Sequence, residues 1–428
     1  MNAVFLLLVV SAFLTAAWHQ VNAPTAEASA MDALSSAMIE SAGGAVELAL
    51  GLVGVMALFL GLMKIAEAGG LLTILARLIR PLMVRLFPDV PAEHPAMGAM
   101  ILNMSANMLG LGNAATPFGI KAMQELNRLN PCKGTATDSM VLFLAINTSS
   151  ITLLPTGVIA LRASAGSTDP AGILPTTLFA TLCSTLVAII AVKGYRRFFP
   201  VGEPSDESVT EQDATQADSE ISLGEGAGVG YPTWVSVAAL LAFLLLIPLT
   251  VLYGAVISPW ILPGLMLGFL LFGVARGVPI YESFVEGAKE GFQVALRIIP
   301  YLVAILVAVG MFRASGAMEW LVGLIGQFTV LLGLPAEALP MALLRPLSGS
   351  GAYGVMASII NDPAIGPDSY TGYLVSTLQG STETTFYVLA VYFGAVQVRR
   401  IRHALAAGLT ADIAGVIGAV AAVYYLFG

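Results

Sequence analysis

The sequence predicts an all-α polytopic membrane protein of about nine transmembrane helices, arranged as two inverted-topology repeats that each carry a re-entrant broken-helix hairpin. Three observations carry this prediction. First, 57% of the residues are hydrophobic and only 11% are charged, against roughly 25% charged in soluble proteins, and several uncharged runs reach the ~20 residues that span hydrocarbon. Second, two polar, glycine-rich stretches interrupt this apolar background, Asn103 to Phe118 and Arg345 to Gly354. Third, the order of features in the first half recurs in the second.

Taken in order, residues 3–18 are apolar and are followed by Ala28-Ser29-Ala30, which reads as a signal-peptide cleavage site. No Lys or Arg precedes Lys64, so the charged n-region is missing and a retained first helix is the favoured expectation. Further spans are expected at 46–66, 139–162, 173–195, 233–255, 257–275, 290–312, 370–396 and 403–427. Segment 69–87 places Arg77, Arg80 and Arg85 opposite an apolar face and is expected to lie along the interface, with 316–333 as its counterpart. Residues 200–230, rich in Asp, Glu, Ser, Gly and Thr, read as a flexible, disordered linker. The expected units are 1–200, the linker 201–230, and 231–428.

The formal net charge of −8 is no guide to partners, because eight acidic residues and no basic ones lie between Glu203 and Glu225. Removing those eight from the 27 acidic residues leaves 19, equal to the 19 Lys and Arg. No basic footprint for nucleic acid remains. Cys132 and Cys183 form no CxxC, and His19, His94 and His403 have no i, i+4 partner, so neither a disulfide framework nor a metal site is expected. Gly-x-Ser-x-Gly, HExxH and Walker A sequences are absent, and neither an enzyme nor a cofactor is expected. The expected partners are the lipid bilayer and a small polar solute, with self-association into a homo-oligomer left open.

Alternating nine spans from a cytoplasmic N-terminus puts 16 of the 19 Lys and Arg on the cytoplasmic side, leaving Arg162, Arg313 and Arg345. The positive-inside rule therefore predicts an inner-membrane protein with its N-terminus in the cytoplasm and its C-terminus outside. Internal matches then fix the hand of the repeat. Lys64 to Gly70 pairs with Met311 to Ala317, Pro91-Ala-Glu93 with Pro335-Ala-Glu337, Gly110-Leu-Gly112 with Gly349-Ser-Gly351, and Ile146 to Thr152 with Leu378 to Thr384. Their order is constant, and matching helices run in opposite directions through the bilayer. Inverted repeats with interrupted helices are how secondary transporters place a solute site near the midplane.

Gly110, Gly112, Pro117, Gly349, Gly351 and Gly354 are expected to break helices at membrane depth, where irregular backbone persists only if buried in protein or lining a wet cavity. Broken ends offer free N–H and C=O groups, and side-chain amides and hydroxyls add to them. The candidate solute-binding residues are Asn103, Asn107, Asn113, Thr116, Asn147, Ser149, Ser348, Ser350, Gln379, Ser381 and Thr382. The competing reading is that small residues and Asn permit close helix packing. Glu383, within an apolar span, costs ~2.5–3.5 kcal/mol or more unless paired or hydrated, so it is the candidate for H⁺ or Na⁺ coupling, with Asp412 second. Its bland alternatives are hydrogen bonding to neighbouring hydroxyls or a salt bridge to Arg345. Asp138 and Glu319 are expected nearer helix ends, and Tyr370, Tyr373, Tyr387 and Tyr392 are expected to serve as interfacial belt or packing.

The segment Asn103 to Met123 resembles the signature of spore maturation protein A, and Pro346 to Gly354 with Gln379 to Tyr387 resembles that of spore maturation protein B. The chain is thus similar to a fusion of the two over nearly its full length, an A-like gate half at 1–200 and a B-like gate half at 231–428. The resemblance implies the nucleoside-recognition or gate group, which includes parts of concentrative nucleoside transporters and of the ferrous iron transporter B, and in endospore formers it implies a part in spore-core dehydration. The expected function is alternating-access movement of a nucleoside-like solute or an envelope precursor. The alternative is a non-transporting scaffold or regulator of spore or envelope maturation, acting through the acidic loop.

Overall fold

The computed structural model describes residues 2–22, 29–110, 112–200, 231–318, 320, 323–324, 329 and 332–428. The acidic linker, Glu319 and half of 316–333 lie outside the described residues, as does the Asn113 side chain. Among the described residues the chain is helical, and an isolated bridge between Thr135 and Arg400 is its one β-type pairing.

Helix α1 spans Asn2–Asn22 and α2 spans Ala30–Ala68. Helix α2 starts well before the expected 46, because Ser29 caps it by accepting from Asp32 N at 3.3 Å. Gly70, at φ +82°, ends it in the left-handed region, and Gly316 at φ +79° stands at the matching place after α10. The amphipathic α3 is Leu71–Leu86. A hairpin follows, α4 (Pro95–Met108) and α5 (Gly112–Arg128), then α6 (Asp138–Ser149), α7 (Thr156–Ser164) and α8 (Leu174–Tyr195).

After the linker come α9 (Thr233–Ala275) and α10 (Ile280–Ala314). A second hairpin of α11 (Leu339–Leu344) and α12 (Gly349–Ile360) leads to α13 (Tyr370–Ser381), α14 (Thr385–Gly394) and α15 (Ala404–Phe427). On length and composition alone, Phe5–Asn22, Ala30–Ala68, Leu174–Tyr195 and Ala404–Phe427 each suffice to cross a bilayer.

The two spans expected at 233–255 and 257–275 are joined without a loop in one helix, α9. At 1.5 Å per residue a straight α9 would be roughly 65 Å long. Yet Tyr231 N, at its start, donates to Arg77 O at 3.2 Å, and Phe272 and Gly273, at its end, pack on Gly69 and Ile65. Both contacts fall on one short piece of α2 and α3, so α9 bends back on itself. The run holds Pro248, Pro259 and Pro263, residues at which helices kink without a loop.

Two further expectations are corrected. Gly112, Pro117, Gly349, Gly351 and Gly354 sit inside helices, and of the expected breakers only Gly110, at φ +74°, leaves the helical region. Glycine permits a break without requiring one. The spans read as continuous at 139–162 and 370–396 are instead the interrupted ones, broken at 150–155 and 382–384.

The halves interlock. Helices α2 and α10 run antiparallel: Gly61 packs on Phe284, Gly287 on Leu60, and Gly310 on Ser41. Helices α8 and α15 also run antiparallel, with Gly418 against Ala180 and Ser184 Oγ donating to Ala411 O at 2.8 Å. Small residues let these backbones approach closely, which is how membrane helices gain packing energy. The interrupted pair crosses between them. Helix α7 lies beside α13 through Arg162 and Ser376, and α6 lies beside α14, where Phe143 stacks on Tyr392 with centroids 5.9 Å apart.

Candidate functional site

A helix that stops inside a membrane leaves its last carbonyls and the next helix's first N–H groups unpaired. Here two such stops meet. Helix α6 ends at Ser149 and α13 at Ser381, and Glu383 N donates to Thr148 O at 2.7 Å across the gap. Gly380 completes the contact, because a Cβ there would stand 3.2 Å from both Pro155 Cβ and Thr177 Oγ1.

Each hairpin tip seats on the break of its own half. Leu153 N donates to Met108 O at 2.9 Å, and Gly110 approaches Leu154 O so closely that a Cβ would sit 2.5 Å from it. In the second half Phe386 N donates to Pro346 O at 3.1 Å. The backbone at the first break is strained, with Ser150 at φ +33°.

Side chains close most of the open valences. Thr181 Oγ1 on α8 donates to Ser149 O at 2.8 Å and contacts Ser150 O, while Thr185 Oγ1 donates to Ser149 Oγ at 2.9 Å. Asn107 Nδ2 donates to Asn147 Oδ1 at 2.9 Å, and Asn147 Nδ2 donates to Phe143 O at 2.9 Å. Asn103, fully buried one turn away, donates to Ala115 O at 2.7 Å and to Tyr392 OH at 3.2 Å. At the second break the buried Arg345 donates to Thr382 O and, at 3.2 Å, to Thr384 Oγ1. Glu383 Oε2 lies 3.9 Å from the same guanidinium, with its side chain 45% exposed.

The expected site residues divide accordingly. Asn103, Asn107, Asn147, Ser149, Thr382 and Glu383 gather at the breaks. Gln379 reaches Gly349 O at 3.5 Å, Ser348 caps α12 by accepting from Gly351 N at 2.9 Å, and Ser381 donates to its own helix at Leu378 O. Asp412 lies on α15, where Thr385 Oγ1 donates to its Oδ2 at 2.6 Å. Thr116 and Ser350 are half-buried on α5 and α12. Glu383 sits in the unwound segment, not inside a helix, and has the Arg345 contact named as its bland alternative. Sequence reasoning missed Thr181 and Thr185, which nothing distinguishes from other hydroxyls on an apolar helix. It also undervalued Arg345, whose isolation among uncharged residues was a usable signal.

Several buried atoms of this cluster have no hydrogen-bond partner among the described residues: Asn103 Oδ1, Thr177 Oγ1, Arg345 Nε, Gln379 Oε1 and Asp412 Oδ1. Such orphans are rare in native interiors. A separate cleft of about 550 Å³ lies between α2, α10 and α12, with Glu40, Glu47, Ser164, Arg313 and Asn361 among its lining. The break cluster is the stronger candidate, because it unites the interrupted backbone and the orphaned polar atoms.

Fold and site together define a polytopic helical membrane protein whose polar centre is made by two interrupted helices touching at their breaks. The chain belongs to the Gate family, described as nucleoside recognition, whose model matches residues 49–165 and 295–399. Each match runs from the middle of a long helix, α2 or α10, through a hairpin and an interrupted helix.

The chain is 48% identical over 167 residues to spore maturation protein B of Bacillus subtilis, covering 93% of that protein and 39% of this one. It is 49% identical over 157 residues to spore maturation protein A of the same organism, covering 80% of that protein and 37% of this one. It is also 30% identical over 100 residues to the inner membrane protein YjiG of Escherichia coli, covering 62% of that protein and 23% of this one. No solved structure matches. With its apolar helices, these relationships make it a multi-pass inner-membrane protein related to the spore maturation proteins.

Proposed function

We propose that the chain is a carrier that moves a small polar solute, nucleoside-like or an envelope precursor, by alternating access between its two halves. The observation that carries this reading is the contact between two breaks at one depth, Glu383 N to Thr148 O at 2.7 Å, amid buried polar atoms lacking partners. Interrupted helices from repeats of opposite direction are the midplane solute site of secondary transporters, and the antiparallel pairs α2–α10 and α8–α15 support that relation. The orphaned acceptors suit hydroxyl, amide or ammonium donors on the solute, and Arg345 Nε offers one matching donor. Glu383, in the unwound segment beside Arg345, is the carboxylate placed to couple H⁺ or Na⁺ movement to solute binding, with Asp412 behind it. The site employs no cofactor and performs no covalent chemistry.

On this reading the N-terminus is cytoplasmic and the C-terminus outside, as the 16 of 19 basic residues indicate. Proteoliposomes carrying the full chain are expected to take up a labelled nucleoside such as uridine, and Glu383→Gln and Asn107→Ala are expected to abolish it. Uptake that survives both changes sinks the assignment of those residues. Deleting residues 203–225 is expected to leave uptake intact, whereas loss of cellular function from that deletion alone favours a scaffold that recruits an envelope enzyme. Cysteine labelling that put residue 215 outside the cell would overturn the orientation.

A further inference from the structure

We infer that the interrupted pair is closed at its two ends by matched ion-pair latches that open alternately, an inference that rests on the carrier reading above. The α6–α7 rod begins at Asp138 and carries Arg162 near its end; the α13–α14 rod begins just after Asp368 and is followed by Arg402. Because the rods run antiparallel, the start of each lies against the end of the other. At one end Arg162, with no exposed side-chain surface, donates to Asp368 Oδ1 at 3.0 Å, Pro367 O at 2.6 Å and Ser376 Oγ at 3.4 Å. Its guanidinium also lies 4.2 Å over the Tyr373 ring. At the other end Arg402, 6% exposed, donates to Asp138 Oδ1 at 2.6 Å and Ala136 O at 3.1 Å. Each aspartate is held by the arginine of the other half.

A buried guanidinium leaves such partners only if water replaces them, so opening a latch admits water to that end. Both latches are closed in this structure. Reciprocity follows from the crossing. The rods touch at mid-length, through Glu383 N and Thr148 O and through Gly380 against Pro155. Spreading two rods at one end about a fixed crossing presses them together at the other. The 550 Å³ cleft borders Ser164, two residues beyond Arg162.

Thiol accessibility tests this on the full chain in nanodiscs, with a membrane-impermeant maleimide. Cys132, buried in the loop that pairs with Arg400, reports on the Arg402 end in a Cys183→Ala background. Ala171→Cys, at a site 1% exposed, reports on the Arg162 end once Cys132 and Cys183 are alanine. Asp138→Asn is expected to speed Cys132 labelling several-fold and slow Ala171→Cys labelling, and Asp368→Asn to do the reverse. The charge swap Asp138→Arg with Arg402→Asp is expected to return both rates to their starting values, and the milder Arg402→Lys to shift them in the same sense as Asp138→Asn. Acceleration of both reporters in either aspartate variant, or of neither, overturns the latches. Labelling needs no solute, so reciprocal labelling without uptake removes the carrier reading alone, and uptake with non-reciprocal labelling removes the latches alone.

Discussion

Arg345 and Glu383 lie within 4 Å of each other but contribute to the fold very differently. Glu383 is 45% exposed and 3.9 Å from the guanidinium, a geometry worth at most about 1 kcal/mol. Arg345 is buried and ties down Thr382 O and Thr384 Oγ1 at the break, and orphaning such acceptors costs about 1–3 kcal/mol. Arg345→Met is therefore expected to lower the thermal midpoint clearly, while Glu383→Gln leaves it almost unchanged and acts on uptake. Gly110→Ala is expected to destabilise by about 1–2 kcal/mol from the left-handed backbone alone, with the 2.5 Å approach to Leu154 O adding to it. Denaturation midpoints in detergent check all three. Asp368 sets an acid limit. Burial by itself raises its pKa, but hydrogen bonds from Ser167 and Thr168 and the Arg162 charge outweigh that and hold it below the usual carboxylate value. A depressed folded-state pKa gives stability that is full above the unfolded value of ~3.9 and is lost as pH falls through the folded one. The Arg162 end is thus expected to loosen only in strong acid and not between pH 5 and 8, which Ala171→Cys labelling against pH would show.

At the scale of elements, legibility depended on whether the cause of a feature was local. The long helices, the amphipathic α3 and the hairpins follow from composition and period, and their ends match signals such as Gly70 and Gly316. The first break lies within 139–162, which reads as one span although it holds Pro155, and the run Ile146 to Thr152 pairs with Leu378 to Thr384 in a register that places Ser149 and Ser381 at equivalent helix ends. The second break has no such signal. Thr382, Glu383 and Thr384 leave the helix where a guanidinium from 37 residues away binds the Thr382 carbonyl, and a sequence window cannot contain that cause. Conversely, Gly112, Gly349 and Gly351 read as breakers because glycine allows what these positions do not use. The α2–α10 seam gives this scale its own prediction. A Cβ at Gly287 would stand 2.4 Å from Leu60 O, and one at Gly291 would stand 2.7 Å from Ala57 Cα. Alanine at either position is expected to cost about 1–3 kcal/mol by pushing the helices apart, whereas alanine at Gly264, which faces open space, is expected to be neutral or slightly stabilising.

For the molecule as a whole, neither half owns a finished interior. Helix α2 is completed by α10, α8 by α15, and the α6–α7 rod by the α13–α14 rod, always across the 201–230 segment. Cutting the chain within 203–225 is therefore expected to leave two polypeptides that co-purify in equal amounts when made together, and that are degraded when made alone; tandem affinity tags read out the result. The spore maturation relatives, each similar to less than half of this chain, would expose the same unfinished seams as separate products. A cell that encodes the halves apart must balance two syntheses and discard whichever is in surplus. One continuous message removes that problem of dosage, since every ribosome that finishes the first half goes on to supply its mate within reach of it.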